Sequence, residues 1–275
     1  MSVDELRAAL AIARKDLRMW TRYPVSAAGQ VFVPLYQGLI PAFLFGAAFL
    51  VDGRAVGLEA TAGTADLAGF VFLGSVMAGL VSSAFWQMGF GLRNDMDLGT
   101  LEPAWLTPTR RETFVVGRAL SSLPILALGQ AVLLLIAYWL FRPAFSGEIV
   151  RAVPALALAV VSLVGIGYLV AAGVLLMREA GFFVDTTNFL FHSASGSGFP
   201  ITVLPGALQV VSFALPTTYA LDLLRHHGIG SRTLLDPTLE LVLLAALALV
   251  SYPVGLRAFL AAERRVRVTG ALGQH

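Results

Sequence analysis

Residues 152–177 read AVPALALAVVSLVGIGYLVAAGVLLM, a run in which no side chain is charged. A helix needs about 20 apolar residues to cross the roughly 30 Å hydrocarbon core of a bilayer. This run is longer than that minimum, and it has no polar face that a water-soluble helix would turn to solvent. It therefore predicts a membrane-spanning helix in the middle of the chain.

Similar uncharged runs occur on both sides of this segment. Together they predict six spans, at residues 24–51, 67–92, 114–141, 152–177, 181–199 and 237–259. The uncharged interval after the fifth span contains Pro200, Pro205 and Pro216, each of which removes a helical hydrogen bond. Residues 200–225 are therefore predicted to be re-entrant, entering the membrane and returning to the same side before the last span. The predicted fold is an all-α polytopic membrane protein with one transmembrane domain over residues 1–275.

The composition agrees with this fold and excludes several functions. Hydrophobic residues make up 57% of the chain and charged residues 13%, about half the charged share of soluble domains. Without cysteine, the chain has no disulfide, thiol nucleophile or thiolate metal site. Its single lysine, Lys15, does not follow the glycines of a phosphate-binding loop. We therefore predict a chain that is not an enzyme and that binds no cofactor, metal or nucleic acid by itself.

The basic residues predict the orientation of the spans. With the N-terminus in the cytoplasm, fourteen of the 19 Lys and Arg residues lie on cytoplasmic segments and five on extracellular ones, as the positive-inside rule requires. Both termini are then cytoplasmic, and residues 260–275 form a cytoplasmic tail. The longest cytoplasmic loop is residues 93–113, and the re-entrant segment is extracellular.

Residues 1–22 are predicted to form an amphipathic helix in the cytoplasmic membrane interface. An apolar stripe recurs at steps of three and four residues, and basic residues share another face. The stripe comprises Leu6, Leu10, Ala13, Leu17 and Trp20, and the basic residues are Arg7, Arg14 and Arg18. The alternative is a water-facing helix that packs on another subunit.

The cytoplasmic loop carries an apolar group within a polar segment. Leu101, Trp105 and Leu106 follow a capping Asp97 or Thr100, and Pro108 ends the short helix that they predict. An apolar patch ringed by charge is typical of a docking surface. Packing of the loop on the helix ends of the same chain is an equally good interpretation.

The fifth span is unusually polar for a membrane helix. Asp185 and His192 are seven residues apart and so share one helix face. Ionisable groups inside a membrane commonly mark a transport path, although a carboxylate at a helix end is also an ordinary structural feature. The predicted path residues are Phe182, Asp185, Phe189, His192, Ser193 and Ser197.

Two motifs resemble a known family. Gly99-Thr100-Leu101-Glu102, followed by Thr107-Pro108, is similar to the loop after the second span of type-two ABC exporter permeases. The second resemblance is to the segment before the last span of that family, which contains the pattern F-P, L-P, P-x-x-Y and L-R. It is carried by Phe199, Pro200, Leu204, Pro205, Pro216, Tyr219, Leu224 and Arg225. The family often has Glu at the positions of Asp95 and Asp97.

The resemblance implies an ATP-driven export permease in the cytoplasmic membrane of a bacterium. Two copies would pair, as a homodimer in preference to a heterodimer, and each would dock one separate ATPase chain that binds ATP and Mg. Membrane lipid is the other expected partner. The cargo would be a hydrophobic or amphiphilic drug, lipid or lipid-linked glycan. The implied docking residues are Asp95, Asp97, Gly99, Thr100, Leu101, Glu102 and Trp105.

Two other functions remain open from the residues alone. A proton-coupled secondary transporter could use Asp185 and His192, although the two halves of the chain show no convincing repeat. A membrane-embedded enzyme would need more convergent polar groups within the spans than the fifth span supplies.

Overall fold

A computed structural model describes residues 3–23, 25, 28, 29, 40–48, 50, 51, 54–177 and 180–269. These residues are almost entirely helical, with one isolated bridge between Val51 and Arg54 and no strand within the described ranges. Half of the predicted first span, residues 24–51, lies outside the described residues. The prediction of an all-helical membrane protein is confirmed.

Twelve α-helices have described bounds. They are α1 (Val3–Arg22), α2 (Ile40–Ala47), α3 (Val56–Ala62), α4 (Leu67–Ser83), α5 (Gly91–Asp97), α6 (Leu101–Trp105), α7 (Arg111–Phe141), α8 (Val153–Leu176), α9 (Ala180–Ala194), α10 (Gly206–Phe213), α11 (Pro216–Ile229) and α12 (Pro237–Thr269). A π-helical segment, Ala84–Phe90, joins α4 to α5 without a break. Short 3-10 helices occupy Gly147–Ala152 and Ile201–Val203.

Four helical stretches are long and apolar enough to cross a membrane: Leu67–Asp97, Arg111–Leu140, Gly147–Leu176 and Pro237–Val268. Helices α10 and α11 bend by 87° at their junction and together form either a broken span or a re-entrant loop. Helix α9 has only 15 residues, about 22 Å at 1.5 Å per residue. The predicted fifth span, residues 181–199, therefore continues past the end of its helix.

Helices α8 and α12 approach each other closely, and glycine makes that approach possible. A Cβ atom on Gly255 would overlap the carbonyl oxygen of Gly165, and one on Gly165 would lie 2.5 Å from the Ser251 oxygen. Tyr168 is fully buried beside this crossing, with its ring centroid 5.6 Å from that of Phe259. Its hydroxyl donates to the Glu112 carbonyl at 3.0 Å and so ties α8 to the start of α7.

The connections between the long helices lie at two ends of the bundle. At the "α1 end", the Arg110 amide donates to Glu5 at 3.4 Å, and Arg111 lies 3.8 Å from Glu263 near the C-terminal end of α12. At the "hairpin end", the Ala144 amide donates to Asp66 at 2.8 Å and the Arg232 amide to the Ala62 carbonyl at 2.8 Å. Connections lie at two opposite ends in this way when successive long helices run in opposite directions.

Helix α1 packs along α7 through its smallest side chains. Ala9 and Ala13 are buried, and the absence of a side chain at Gly117 leaves room for Ile12 and the Ala9 carbonyl. Leu6 and Leu10 remain exposed because the close contact is made by the alanine face, about one residue around the helix from the predicted stripe. The helix thus packs on its own chain and keeps an uncovered outer face.

Candidate functional site

The predicted docking loop is held to α7 by an ion pair. Asp95, near the end of α5, pairs with Arg118, which is buried. The Thr100 hydroxyl donates to the Asp95 carboxylate at 3.3 Å and closes the turn between α5 and α6. Gly91 leaves the space that the Arg118 guanidinium occupies. The loop therefore has a fixed orientation on the bundle.

The short helix α6 is anchored in the core by two of its apolar residues. Leu101 and Trp105 are buried in the same cluster as Val115 of α7, Leu175 of α8 and residues of α12. The Arg111 guanidinium lies 5.8 Å from the centre of a Trp105 ring. For these two residues, packing on the chain's own helix ends is the interpretation that the geometry supports.

Other residues of the same loop face outward. Leu98 is 64% exposed and Leu106 is 88% exposed, and polar residues lie around them. We define the "loop rim" as Asp97, Leu98, Gly99, Thr100 and Leu106, all of them exposed. Gly99 has φ of 66°, a backbone conformation that a side chain would disfavour. Glu102 follows Leu101 within α6.

Helix α9 presents one uncovered face along most of its length. Phe182 and Phe189 are 76% and 67% exposed, and Asp185 lies between them. The opposite side of α9 packs on the Leu67–Asp97 helix: the Ser82 hydroxyl donates to Asn188 at 3.2 Å, and Phe191 contacts Phe85 edge to face. We call Phe182, Asp185 and Phe189 the "α9 face".

The last predicted path residues lie at the end of α9, where the chain turns. Ser197 is past the end of the helix and buried. Its hydroxyl donates to the His192 carbonyl at 2.7 Å and contacts the His192 Nδ1 atom at the same distance. Ser193 is half-buried within α9. Ser193 and Ser197 therefore do not share a helix face, because α9 ends at Ala194.

Arg225 holds the re-entrant motif together. In the sequence, this residue is identified only through the family resemblance. Arg225 is buried and donates to the carbonyls of Gly196 and Ser197, each at 2.9 Å. It also donates to the Phe70 carbonyl at 3.2 and 3.3 Å, and its guanidinium lies 3.3 Å from the centre of the Phe70 ring. One side chain of α11 thus joins the start of α4 to the turn after α9.

The other motif residues shape the turns around this contact. Pro200 precedes a 3-10 helix, Pro205 caps α10 and Pro216 begins α11, where a missing N–H costs nothing. The Tyr219 hydroxyl donates to the Phe213 carbonyl at 2.7 Å across the bend, and Phe199 is exposed.

A pair of carboxylates next to the hairpin was missed by sequence reasoning. Asp222 of α11 accepts from the Leu234 amide at 2.7 Å, and the fully buried Glu240 of α12 accepts from the next amide, Leu235, at 2.9 Å. The pair fixes the connection between α11 and α12. Glu240, an acidic residue just after Pro237 at the start of an apolar run, is the sequence feature that could indicate this pair.

Within the described ranges, no group of three or more His, Asp or Glu side chains is placed to hold a metal ion. The polar groups described above are those of the anchored loop, the α9 face, the Arg225 contact and the Asp222–Glu240 pair. None of them brings together an acid, a base and a nucleophile.

Comparison with known families relates the chain to transporters. The model of a family described as "ABC-2 type transporter" matches residues 7–227, which include most of α1, the docking loop, α9 and almost all of α11. No curated protein matches the chain significantly.

Proposed function

The chain belongs to the ABC-2 type transporter family, and from that membership we propose that it is the permease subunit of an ATP-driven exporter. As an ABC-2 membrane domain it is a multi-pass transmembrane component, and such a domain implies association with an ABC ATPase. The family match is the observation that carries the proposal. In addition, the loop after the Leu67–Asp97 helix is anchored by an ion pair and has two exposed leucines at its rim.

We propose six spans with both termini in the cytoplasm. The hypothesis places the α1 end, with most of the basic residues, in the cytoplasm, and it makes the hairpin end extracellular. The 87° bend between α10 and α11 and the buried Arg225 support a re-entrant hairpin at that end. The membrane would be the cytoplasmic membrane of a bacterium, and two copies of the chain would form a homodimer.

The loop rim is proposed as the docking surface for the ATPase. A double Leu98→Asp, Leu106→Asp variant should weaken the permease–ATPase association by about a hundredfold. Burying each leucine on a partner contributes about 1.5 kcal/mol or more, and 1.4 kcal/mol corresponds to a factor of ten. The measurement is the dissociation constant of the co-purified ATPase in detergent, together with vanadate-sensitive ATP hydrolysis.

The matched control is Val150→Asp, an exposed apolar residue at the hairpin end. It should leave the association unchanged. Trp105→Ala should instead lower thermal stability, because Trp105 lies in the core. Undiminished ATPase binding by the double variant would contradict docking at the rim. Transport that is driven by a pH gradient without an ATPase would favour a proton-coupled mechanism at Asp185 and His192.

The α9 face is proposed as part of the path of a bulky amphiphilic cargo. Because the chain has no cysteine, single cysteines can be introduced without background labelling. Phe189→Cys and Ser193→Cys should react with a thiol reagent at rates that differ by severalfold between the resting and the ATP-bound complex. Val184→Cys, on the fully buried side of the same helix, should stay unlabelled in both states. Identical rates in both states at Phe189, on this face, and at the neighbouring Ser193 would exclude this side of α9 from the path.

A further inference from the structure

The outer face of α1 lies along an open cavity with a volume of about 670 Å³. All five basic residues of the helix and three uncharged ones line it. The lining residues among those described are Arg7, Leu10, Ala11, Arg14, Lys15, Arg18, Met19 and Arg22.

The acidic and basic residues of α1 point in different directions. Glu5 accepts from Thr113 and Asp16 from Ser121, both on α7, so two of the three acids of the helix are turned toward the protein. Of the basic residues, Arg7 lies 3.7 Å from the exposed Asp4, and Lys15 lies 3.1 Å from Asp16. Among the described residues, no ion pair joins Arg14, Arg18 or Arg22 to a carboxylate.

These three arginines form a row. They are four residues apart on one helix, so their backbones are separated by about 6 Å along the axis. Exposed apolar side chains accompany them, namely Leu6, Leu10 and Met19. A helix that combines uncompensated cations with exposed apolar side chains is suited to the boundary between lipid head groups and acyl chains.

We infer that the Arg14–Arg18–Arg22 row binds the phosphate groups of anionic phospholipids. The guanidinium groups supply paired donors of the geometry that phosphate oxygens accept. Leu10 and Met19 supply the apolar contact that distinguishes a lipid from a soluble phosphate. The site depends on contacts within α1 and not on the ATPase, so it can be tested whether or not the proposed export function holds.

The test uses the purified full chain in a neutral detergent. Binding of phosphatidylglycerol and phosphatidylcholine is measured by native mass spectrometry across a lipid titration. The wild type should bind phosphatidylglycerol at least tenfold more tightly. Each basic side chain near an anionic surface contributes about fivefold, so an Arg14→Gln, Arg18→Gln, Arg22→Gln variant should lose that preference. An Arg→Lys triple variant at the same positions keeps the charge and should retain most of the preference.

A matched control changes three exposed arginines of the hairpin end, Arg54, Arg151 and Arg232, to Gln and should bind phosphatidylglycerol as the wild type does. If the first Gln variant does not fold, the Lys variant and the loss of wild-type preference at 0.5 M salt still decide the question. Equal affinity of the wild type for both lipids would overturn the inference. Displacement of phosphatidylglycerol by equimolar soluble glycerophosphate would also overturn it, because the site would then recognise phosphate rather than lipid.

Discussion

An Arg225→Ala variant should lose about 3 kcal/mol or more of its free energy of unfolding, because three buried carbonyls would lose their donor at about 1–3 kcal/mol each. The acceptors belong to the backbone of Phe70, Gly196 and Ser197, so no substitution of those residues can remove them. For a domain of this size the melting temperature in detergent should fall by roughly 6–12 °C.

Arg151→Ala is the matched control, since Arg151 is exposed and its surface ion pair with Glu148 contributes about 0–1 kcal/mol. Arg225→Lys should have a melting temperature between those of the wild type and Arg225→Ala. A lysine ammonium keeps the charge but lacks the forked guanidinium that reaches three carbonyls. A melting temperature for Arg225→Ala within 2 °C or so of the wild type would show that the hairpin is held by other contacts.

The Gly255→Leu variant should disrupt the contact between α8 and α12. Even a single Cβ at this position overlaps a backbone carbonyl of the facing helix, and backbone cannot rotate away as a side chain can. The helices would have to separate, and the buried contact around Tyr168 and Phe259 would be lost, at an expected cost of about 3 kcal/mol or more. Fluorescence-detected size-exclusion chromatography should show a strongly reduced monodisperse peak.

Gly57→Leu provides the comparison, since Gly57 is also helical but a Cβ there would meet no atom within 4 Å. That variant should give a peak equal to that of the wild type. If Gly255→Leu behaved in the same way, the close approach of the two helices would not be required for folding.

The sequence predicts the long helices well because their signal is local. Uncharged runs of sufficient length predict four long apolar helices. Their predicted ends agree with the structure to within about five residues, except that Pro237–Val268 continues about nine residues past the predicted end at residue 259. The end of α9 at Ala194 was not predictable in this way. That end depends on Gly196, which has φ of 75°, and on Arg225, which binds the Gly196 and Ser197 carbonyls from 28 or 29 residues away.

The structure of the docking loop also depends partly on nearby residues and partly on residues far away in the chain. Its motif was visible in the sequence, but the division of its apolar residues between core and surface was not. Trp105 and Leu106 are adjacent in the chain, yet one is buried and the other exposed. The difference arises from the positions of α7, α8 and α12, which only the fold brings to Trp105. In the predicted α1 stripe, Ala13 is buried but Leu6 and Leu10 are exposed for a similar reason, because the fold places Gly117 against Ala9 and Ile12.

The π-helical segment Ala84–Phe90 gives the helix before the loop a place where one residue can be lost. A π-helix takes up more residues per turn than an α-helix, so a chain one residue shorter could close the same segment as a regular α-helix. Later residues would then keep nearly the same direction, and Asp95 could still pair with Arg118. A deletion within α5, between this segment and the loop, would instead rotate Leu98 by about 100° around the axis and shift it by about 1.5 Å along it. The loss of one residue should therefore be tolerated better in Ala84–Phe90 than in Gly91–Asp97.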